Sequence, residues 1–426
     1  MAAKGTSKSS ASTSTKTSYK VGKPKLSGKA LSKKKLKTDK KVKLSFKTTL
    51  GKKLDNKLEK KSEKKFEKKL ENKSENKSEK YSLERTTTKM SEKSSGKSTF
   101  KLSEKVLIKI HDEMIRSRVL EERMIRMYKQ NDGYFWLGGP GEEAFNTPLG
   151  MQINKGFGLD HDFLHLHYRS GGILMAMGAA EPVDMLRQMK NVASDPFSGG
   201  RNFCNHQSIR KYNVLPITST IETQYQTAIG TGIAQRQHGG NGISIVNGGD
   251  AGSAEAEFAS CLIWSSRPNF ELPILMIVTN NQFGISTPAK TQHGEKNVAD
   301  RGTAFGIKTR VINGNDVEES WFALQEAMEY VRKERKPYLL EARVSRLYGH
   351  SSASGANFVP GEEDPLVTFE AKLEKAGILS RAKMDEIRAN HTQEMLDIAK
   401  KVKEEAMPDG STIYDHVYKG QKGKYF

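Results

Sequence analysis

The stretch GDAGSAEAEFASCLIWSSRPNFELPILMIVTNNQFGIST, Gly249 to Thr287, decides how the rest of the chain is read. Just before it, the β-rich run GISIV (Gly242 to Val246) enters Asn247-Gly248-Gly249-Asp250, residues suited to a tight turn at a strand's carboxyl end. From Glu255 to Ser265 a helix is predicted, with Phe258, Leu262 and Ile263 on one apolar face and Pro268 as its stop. Leu272 to Val278 is nearly all apolar, as parallel strands covered on both faces are, and it carries Asn280 and Asn281 to the rim where Asp250 stands. The unit is β-α-β, and its crossover is expected to be right-handed.

Asp250 and Asn281 thus fall at the carboxyl ends of parallel strands, the edge at which open sheets bind ligands. Two oxygen ligands there suit a hard divalent cation. Magnesium fits best, because it completes its octahedron with waters and phosphate oxygens. Ala251 and Gly252, at the predicted helix start, leave backbone N–H groups free for a diphosphate. Each motif alone reads equally as a plain turn or a strand-end cap; both together, framing one helix, point to a site.

Working outward, Glu104 to Gln130 has helical apolar spacing, and Gly138-Gly139-Pro140-Gly141 forces a loop before a helix from Glu142. In HLHYRSGGILMAMG (His165 to Gly178) an Arg precedes a Gly-rich helix start, where its fork can grip phosphate oxygens bidentately. Ala228, Gly230, Gly232 and Ala234 permit close packing of a helix that follows VLPITSTIETQ (Val214 to Gln224). Lys308 to Ile312 and Tyr338 to Val344 read as further strands around a helix from Val317 to Arg332, and the second delivers RLYGHSSASGANF, Arg346 to Phe358. Two short amphipathic helices around Gly377 and a charged helix from Thr392 to Pro408 follow.

These segments carry a family resemblance from about Leu102 to the end. GDA…NN resembles the thiamine diphosphate motif, usually GDG…NN, in the version of the alpha subunit of the decarboxylating component of 2-oxo acid dehydrogenase complexes. The resemblance implies an α/β thiamine diphosphate-binding fold, a mostly parallel sheet with helices on both faces. It implies that Gly249, Asp250, Ala251 and Gly252 meet the cofactor and that magnesium is held by Asp250, Asn281 and the Phe283 carbonyl. Tyr168 and Arg169 correspond to the pair at the diphosphate, and Ser219 and Ile221 to backbone against the aminopyrimidine ring. His350 corresponds to the histidine near the diphosphate that helps pass the acyl group on; an imidazole pKa near neutrality suits that task. His206 is a weaker candidate. Ser351 matches a serine phosphorylated in mitochondrial members. Thr218, Thr223 and Gln224 offer oxygens for potassium, although Thr220 stands where the ion-holding members have Pro. Phe135-Trp136-Leu137 either lines a substrate entrance favouring branched 2-oxo acids or is a core cluster. Ala251 in place of the motif's third Gly keeps the N–H but narrows the backbone, a modest expected loss of affinity.

The activity implied is oxidative decarboxylation of pyruvate or a branched-chain 2-oxo acid, with acyl transfer to a lipoyl-bearing acyltransferase. The activating glutamate belongs, in the family, to a beta subunit, so an alpha2-beta2 assembly is expected. An acetoin dehydrogenase alpha subunit shares the motifs. A non-enzymatic polyanion binder is the other class, suggested by a net charge of +20.

That charge is local. Residues 1–100 hold 31 Lys+Arg against 10 Asp+Glu, and the rest 39 against 40. From Lys52 to Glu79 the chain repeats in fours (KKLD, NKLE, KKSE, KKFE, KKLE, NKSE, NKSE), stacking like charges at i,i+4 and spreading its few apolar residues round a helix. Residues 1–100 are therefore expected to be a disordered basic extension, either a plain solvated tail or an electrostatic arm for polyanion contact, and residues 101–426 the catalytic domain. Apolar runs are strand-sized, so no membrane span is expected. Two cysteines suggest a reducing compartment, and the absence of Arg before Arg85 favours a bacterial-type cytoplasm over the mitochondrial matrix.

Overall fold

The computed structural model describes residues 100–415, so the expected disorder of the basic extension lies outside the described residues. Five parallel strands form the central sheet in the order β1-β2-β3-β7-β6. They are β1 (Phe163–His165), β2 (Ser244–Gly249), β3 (Ile274–Asn280), β6 (Lys308–Asn313) and β7 (Tyr338–Arg343); between them β4 (Phe283–Gly284) and β5 (Thr287–Pro288) make a small antiparallel hairpin.

Side-chain alternation along β3 divides two cores. Ile274, Met276 and Val278 pack with Tyr225, Phe258, Cys261 and Leu262, which lie on the helices Thr223–His238 and Ala256–Ser265. Leu275 and Ile277 face the opposite way, toward the helix Val317–Glu334. A strand covered on both faces has no polar side, which is why LPILMIV shows no alternation in sequence. The helices that directly precede and follow β2, Thr223–His238 and Ala256–Ser265, lie on one face, and the helix from β6 back to β7 lies on the other. Reversing the direction of winding reverses the face when the hand is constant.

Three expectations change in detail. Asn247, Gly248 and Gly249 are the end of β2, paired with Ile277, Val278 and Thr279, so the turn begins only at Asp250. Gly232 lies against Ile274, as the small-residue spacing suggested, but Ile263 is 51 % exposed while Cys261 points inward. A helical period of 3.6 turns positions 258, 261, 262 and 265 to the core and leaves 263 outside. Near the end, the expected short helix and the later charged helix are one element, Arg381–Lys403, packed on Glu104–Lys129 through Met384, Met395 and Val402 and through His391 Nε2 against Asp112 Oδ1 at 2.9 Å.

Trp136 is fully buried, and its indole N–H donates to Glu121 Oε2 at 2.7 Å. Burial pushes that Glu121 carboxyl up to about 8, so it is a neutral acid at pH 7. A tryptophan spent on a core hydrogen bond favours the core-cluster alternative for Phe135-Trp136-Leu137 over an entrance lining.

Candidate functional site

At the carboxyl edge of β2 and β3 lies a cleft of about 270 Å³. Residues from well-separated parts of the chain line it: Tyr168 and Arg169, Ile221 and Glu222, Gly249 to Gly252, Phe283 to Ile285, and His350. A larger open depression of about 650 Å³, between Pro196 and Ile413, has its one guanidinium, Arg201, already committed to the carbonyls of Ser198 and Thr412.

Asp250 is 1 % exposed and its Oδ2 has no hydrogen-bond partner. Burial raises its pKa, while Arg169 and the backbone N–H groups of Asp250 and Asn281 pull it back down. A desolvated carboxylate oxygen without a donor is the environment a cation relieves. Asn281 is buried beside it and its Oδ1 accepts the Phe283 N–H at 3.1 Å. The donors available are all oxygens, one carboxylate, one carboxamide and the peptide carbonyl of Phe283, a set that fits magnesium with phosphate and water completing it. Among the described residues no three His, Cys, Asp or Glu side chains gather to hold a metal by themselves. Asn280, also carried to the rim by β3, is spent on scaffolding: its Nδ2 donates to the buried Glu341 at 2.7 Å.

Arg169 is not a surface ion pair. It is 8 % exposed, its Nε donates to Glu142 Oε1 at 2.5 Å, and its Nη2 donates to Thr279 Oγ1 at 3.2 Å. The Tyr168 hydroxyl accepts from Nη1 at 3.3 Å. A Cβ at Gly249 would meet Nη2 at 2.9 Å, so the glycine is what lets the guanidinium lie over the end of β2. Burial pulls the Glu142 carboxyl up and Arg169 draws it back, while Glu142 keeps the arginine firmly charged.

Ala251 sits in a 3-10 turn, Ala251–Ala254, and its methyl lies against Gly284. Helical dihedrals are open to any L residue, so the expected penalty for losing a glycine there has no conformational basis. That same turn separates Ala251 and Gly252 from the helix, which starts at Ala256, not beside them. Their N–H groups belong to the turn and not to the helix terminus.

His350 stands edge-on to the Tyr168 ring, centroids 5.7 Å apart. Burial, with Arg169 and Arg346 nearby, lowers its pKa to about 4, well away from the near-neutral value expected from residue type. It is therefore a neutral imidazole at pH 7, able to accept a proton and not to supply one. Because part of the shift comes from two arginines, an anion between them raises it again. Imidazole resonances of His350, followed by NMR, are expected to titrate near pH 4 in the ligand-free protein and at higher pH with thiamine diphosphate and magnesium present. A midpoint near 6.5 in both states would remove the electrostatic coupling.

Ser219 and His206 do not line the cleft. Ser219 Oγ and His206 Nε2 are 2.6 Å apart, and His206 Nδ1 lies 2.9 Å from the Cys204 carbonyl, which ties two loops together. Thr218 and Thr223 hydroxyls lie 2.8 Å apart, each bonded to the Thr220 carbonyl, so three oxygens gather there, whereas Gln224 reaches the Asn247 carbonyl instead. Ser351 is 4 % exposed and bridged to Leu137, so a modifying enzyme would need this loop to open.

His167, Glu222, Glu255, Gly284, Ile285 and Gln292 line the cleft and went unnoticed in the sequence, as did Glu142, which holds Arg169 without lining the cleft. Glu222 stands between Ile221 and Thr223, both singled out, and a carboxylate in an otherwise neutral TSTIETQ segment was the available signal. Burial pushes it up to about 8.

A parallel α/β sheet with buried oxygen donors and a buried arginine gathered at its carboxyl edge defines a class: open-sheet proteins that bind their ligand at that edge. The profile of the dehydrogenase E1 component family matches residues 111–411. This chain belongs to that family, as an alpha subunit of a thiamine diphosphate-dependent 2-oxo acid dehydrogenase. It is similar to 2-oxoisovalerate dehydrogenase subunit alpha of Bacillus subtilis, 28% identical over 315 residues, 72% of this chain and 92% of the relative. The mitochondrial subunit alpha 2 of the same name from Arabidopsis thaliana is 26% identical over 326 residues, 74% of this chain and 67% of that one. Its counterpart from Pseudomonas aeruginosa is 26% identical over 332 residues, 74% and 79% of the two chains.

Proposed function

We propose that the chain acts, with a beta subunit in an alpha2-beta2 assembly, on a branched-chain 2-oxo acid and passes the acyl group to a lipoyl-bearing acyltransferase. The observation that carries this reading is the unpartnered, buried Asp250 Oδ2 facing the same cleft as Arg169. The names of the relatives support the branched-chain substrate in preference to pyruvate or acetoin. In this reading Asp250, Asn281 and the Phe283 carbonyl hold magnesium, and Arg169, kept charged and aimed by Glu142, takes the diphosphate. Ile221, 40 % exposed at the cleft, gives the aminopyrimidine ring an apolar neighbour. The bound cofactor supplies an electron sink for the carbanion left by decarboxylation. His350, neutral before the diphosphate arrives, accepts a proton or a hydrogen bond at the reacting end.

Residues 101–426 would then be the catalytic unit and 1–100 an added basic extension, in a bacterial-type cytoplasm. Among the described residues no helix is long and apolar enough to cross a membrane. Potassium at Thr218, Thr220 and Thr223 belongs to the same proposal.

Dye-linked turnover by the assembled complex tests the substrate. A pocket built for branched carbon favours each added methyl by about 10-fold or more, so kcat/KM for 2-oxoisovalerate is expected to exceed that for pyruvate by at least that factor. Preference for pyruvate or acetoin would overturn the branched-chain reading.

A further inference from the structure

Glu222 is held where few glutamates are found. It precedes the helix Thr223–His238 with φ of 65°, the left-handed region that disfavours residues bearing a Cβ, and its side chain does not cap the helix. Its side chain is fully buried. For that strain and desolvation it receives two long hydrogen bonds, from the Gly249 N–H at 3.3 Å and from Gln224 Nε2 at 3.4 Å. Arg169 lies close enough to favour its charge, yet pairs with Glu142 instead.

What the Glu222 side chain does instead is fill space. Its carboxyl rests on Gly248 and Gly252 so closely that a Cβ at either position would collide with it. Gly249 to Gly252 is the strip of backbone on which the cleft offers N–H groups to an anion, so the carboxyl group lies against both ends of that strip and occupies one of its donors. Oxygens of a diphosphate and of Glu222 cannot share the Gly249 N–H.

We propose that Glu222 is an affinity-determining gate of the cofactor site, occupying the Gly248–Gly252 crevice and giving way when the diphosphate enters. The inference rests on the functional reading above. Binding then requires a minor, Glu222-out conformer, and the observed affinity is the intrinsic one multiplied by the fraction of molecules in that conformer.

The test is calorimetric titration of thiamine diphosphate with magnesium into the full chain assembled with its beta subunit, accompanied by stopped-flow binding. Glu222→Gly removes the side chain and suits the left-handed backbone, so the variant is expected to fold. Its affinity is expected to rise roughly 10-fold, as for a closed state populated about nine parts in ten. Glu222→Gln keeps the bulk, and is expected to gain less. In the parent, association is expected to show a slow phase whose rate levels off with ligand concentration, absent from Glu222→Gly. Equal or weaker binding by a folded Glu222→Gly would overturn the gate and make Glu222 a contact or a structural group. Failure of parent and variant alike to bind would instead sink the cofactor site itself, and the gate with it.

Discussion

Asp250→Ala is expected to abolish metal-dependent binding of thiamine diphosphate while leaving the fold as stable as before, or more so. In the ligand-free protein Asp250 is a buried carboxylate with one oxygen facing no donor. Such a group costs the native state about 1–3 kcal/mol, so its removal relieves the fold. With the metal present the same oxygen becomes its charged protein ligand. Loss of even an outer partner of a metal site lowers affinity about 10- to 100-fold, and loss of the ligand itself is expected to exceed the upper figure. Calorimetry and thermal melting of the assembled complex, with and without magnesium, read the two effects separately. Parent-like binding by the Asp250 variant would remove the metal site from this cleft; a collapse in stability would show that Asp250 is a structural residue.

The second large effect belongs to Glu142, which touches no ligand in the proposed scheme. Its Oε1 is the close partner of a buried guanidinium, with side chains 2 % and 8 % exposed. Truncating one member of a buried ion pair strands the other, at about 3–5 kcal/mol. Glu142→Ala is therefore expected to lower stability by that amount, and Glu142→Gln, which keeps an acceptor, by less. A diphosphate can take over as the partner of Arg169. The loss should accordingly be partly restored by saturating cofactor, giving Glu142→Ala a larger ligand-induced rise in melting temperature than the parent. Equal rises in both proteins would mean that Arg169 does not reach the diphosphate.

Some of this site is legible in the chain itself because it follows from strand ends. An apolar run fixes where a parallel strand stops, and the polar residues just beyond it, Asp250, Asn281 and the segment leading to His350, must emerge at one edge. Arg169 was legible as well, since an arginine before a glycine-rich helix start has few structural uses. Ser219 and Ile221, read together for their backbone, differ in where their side chains go. Neighbours in sequence leave a turn in different directions, so Ile221 enters the cleft while Ser219 bonds to His206. Position along the chain does not report side-chain direction in irregular backbone.

By itself the sequence determined the layered α/β plan, the parallel sheet and the rim that carries the polar groups, because hydrophobic periodicity and strand length are local properties. It also located the basic charge in residues 1–100. Only the tertiary structure decided which groups are paired and which are left over: that Glu142 holds Arg169, that Asp250 has an idle oxygen, that burial and then two arginines depress His350, and that Glu222 lies against the glycines of the cleft. Pairing, burial and pKa depend on residues far apart in the chain meeting in a medium of low dielectric, and no window of sequence contains both members of such a pair.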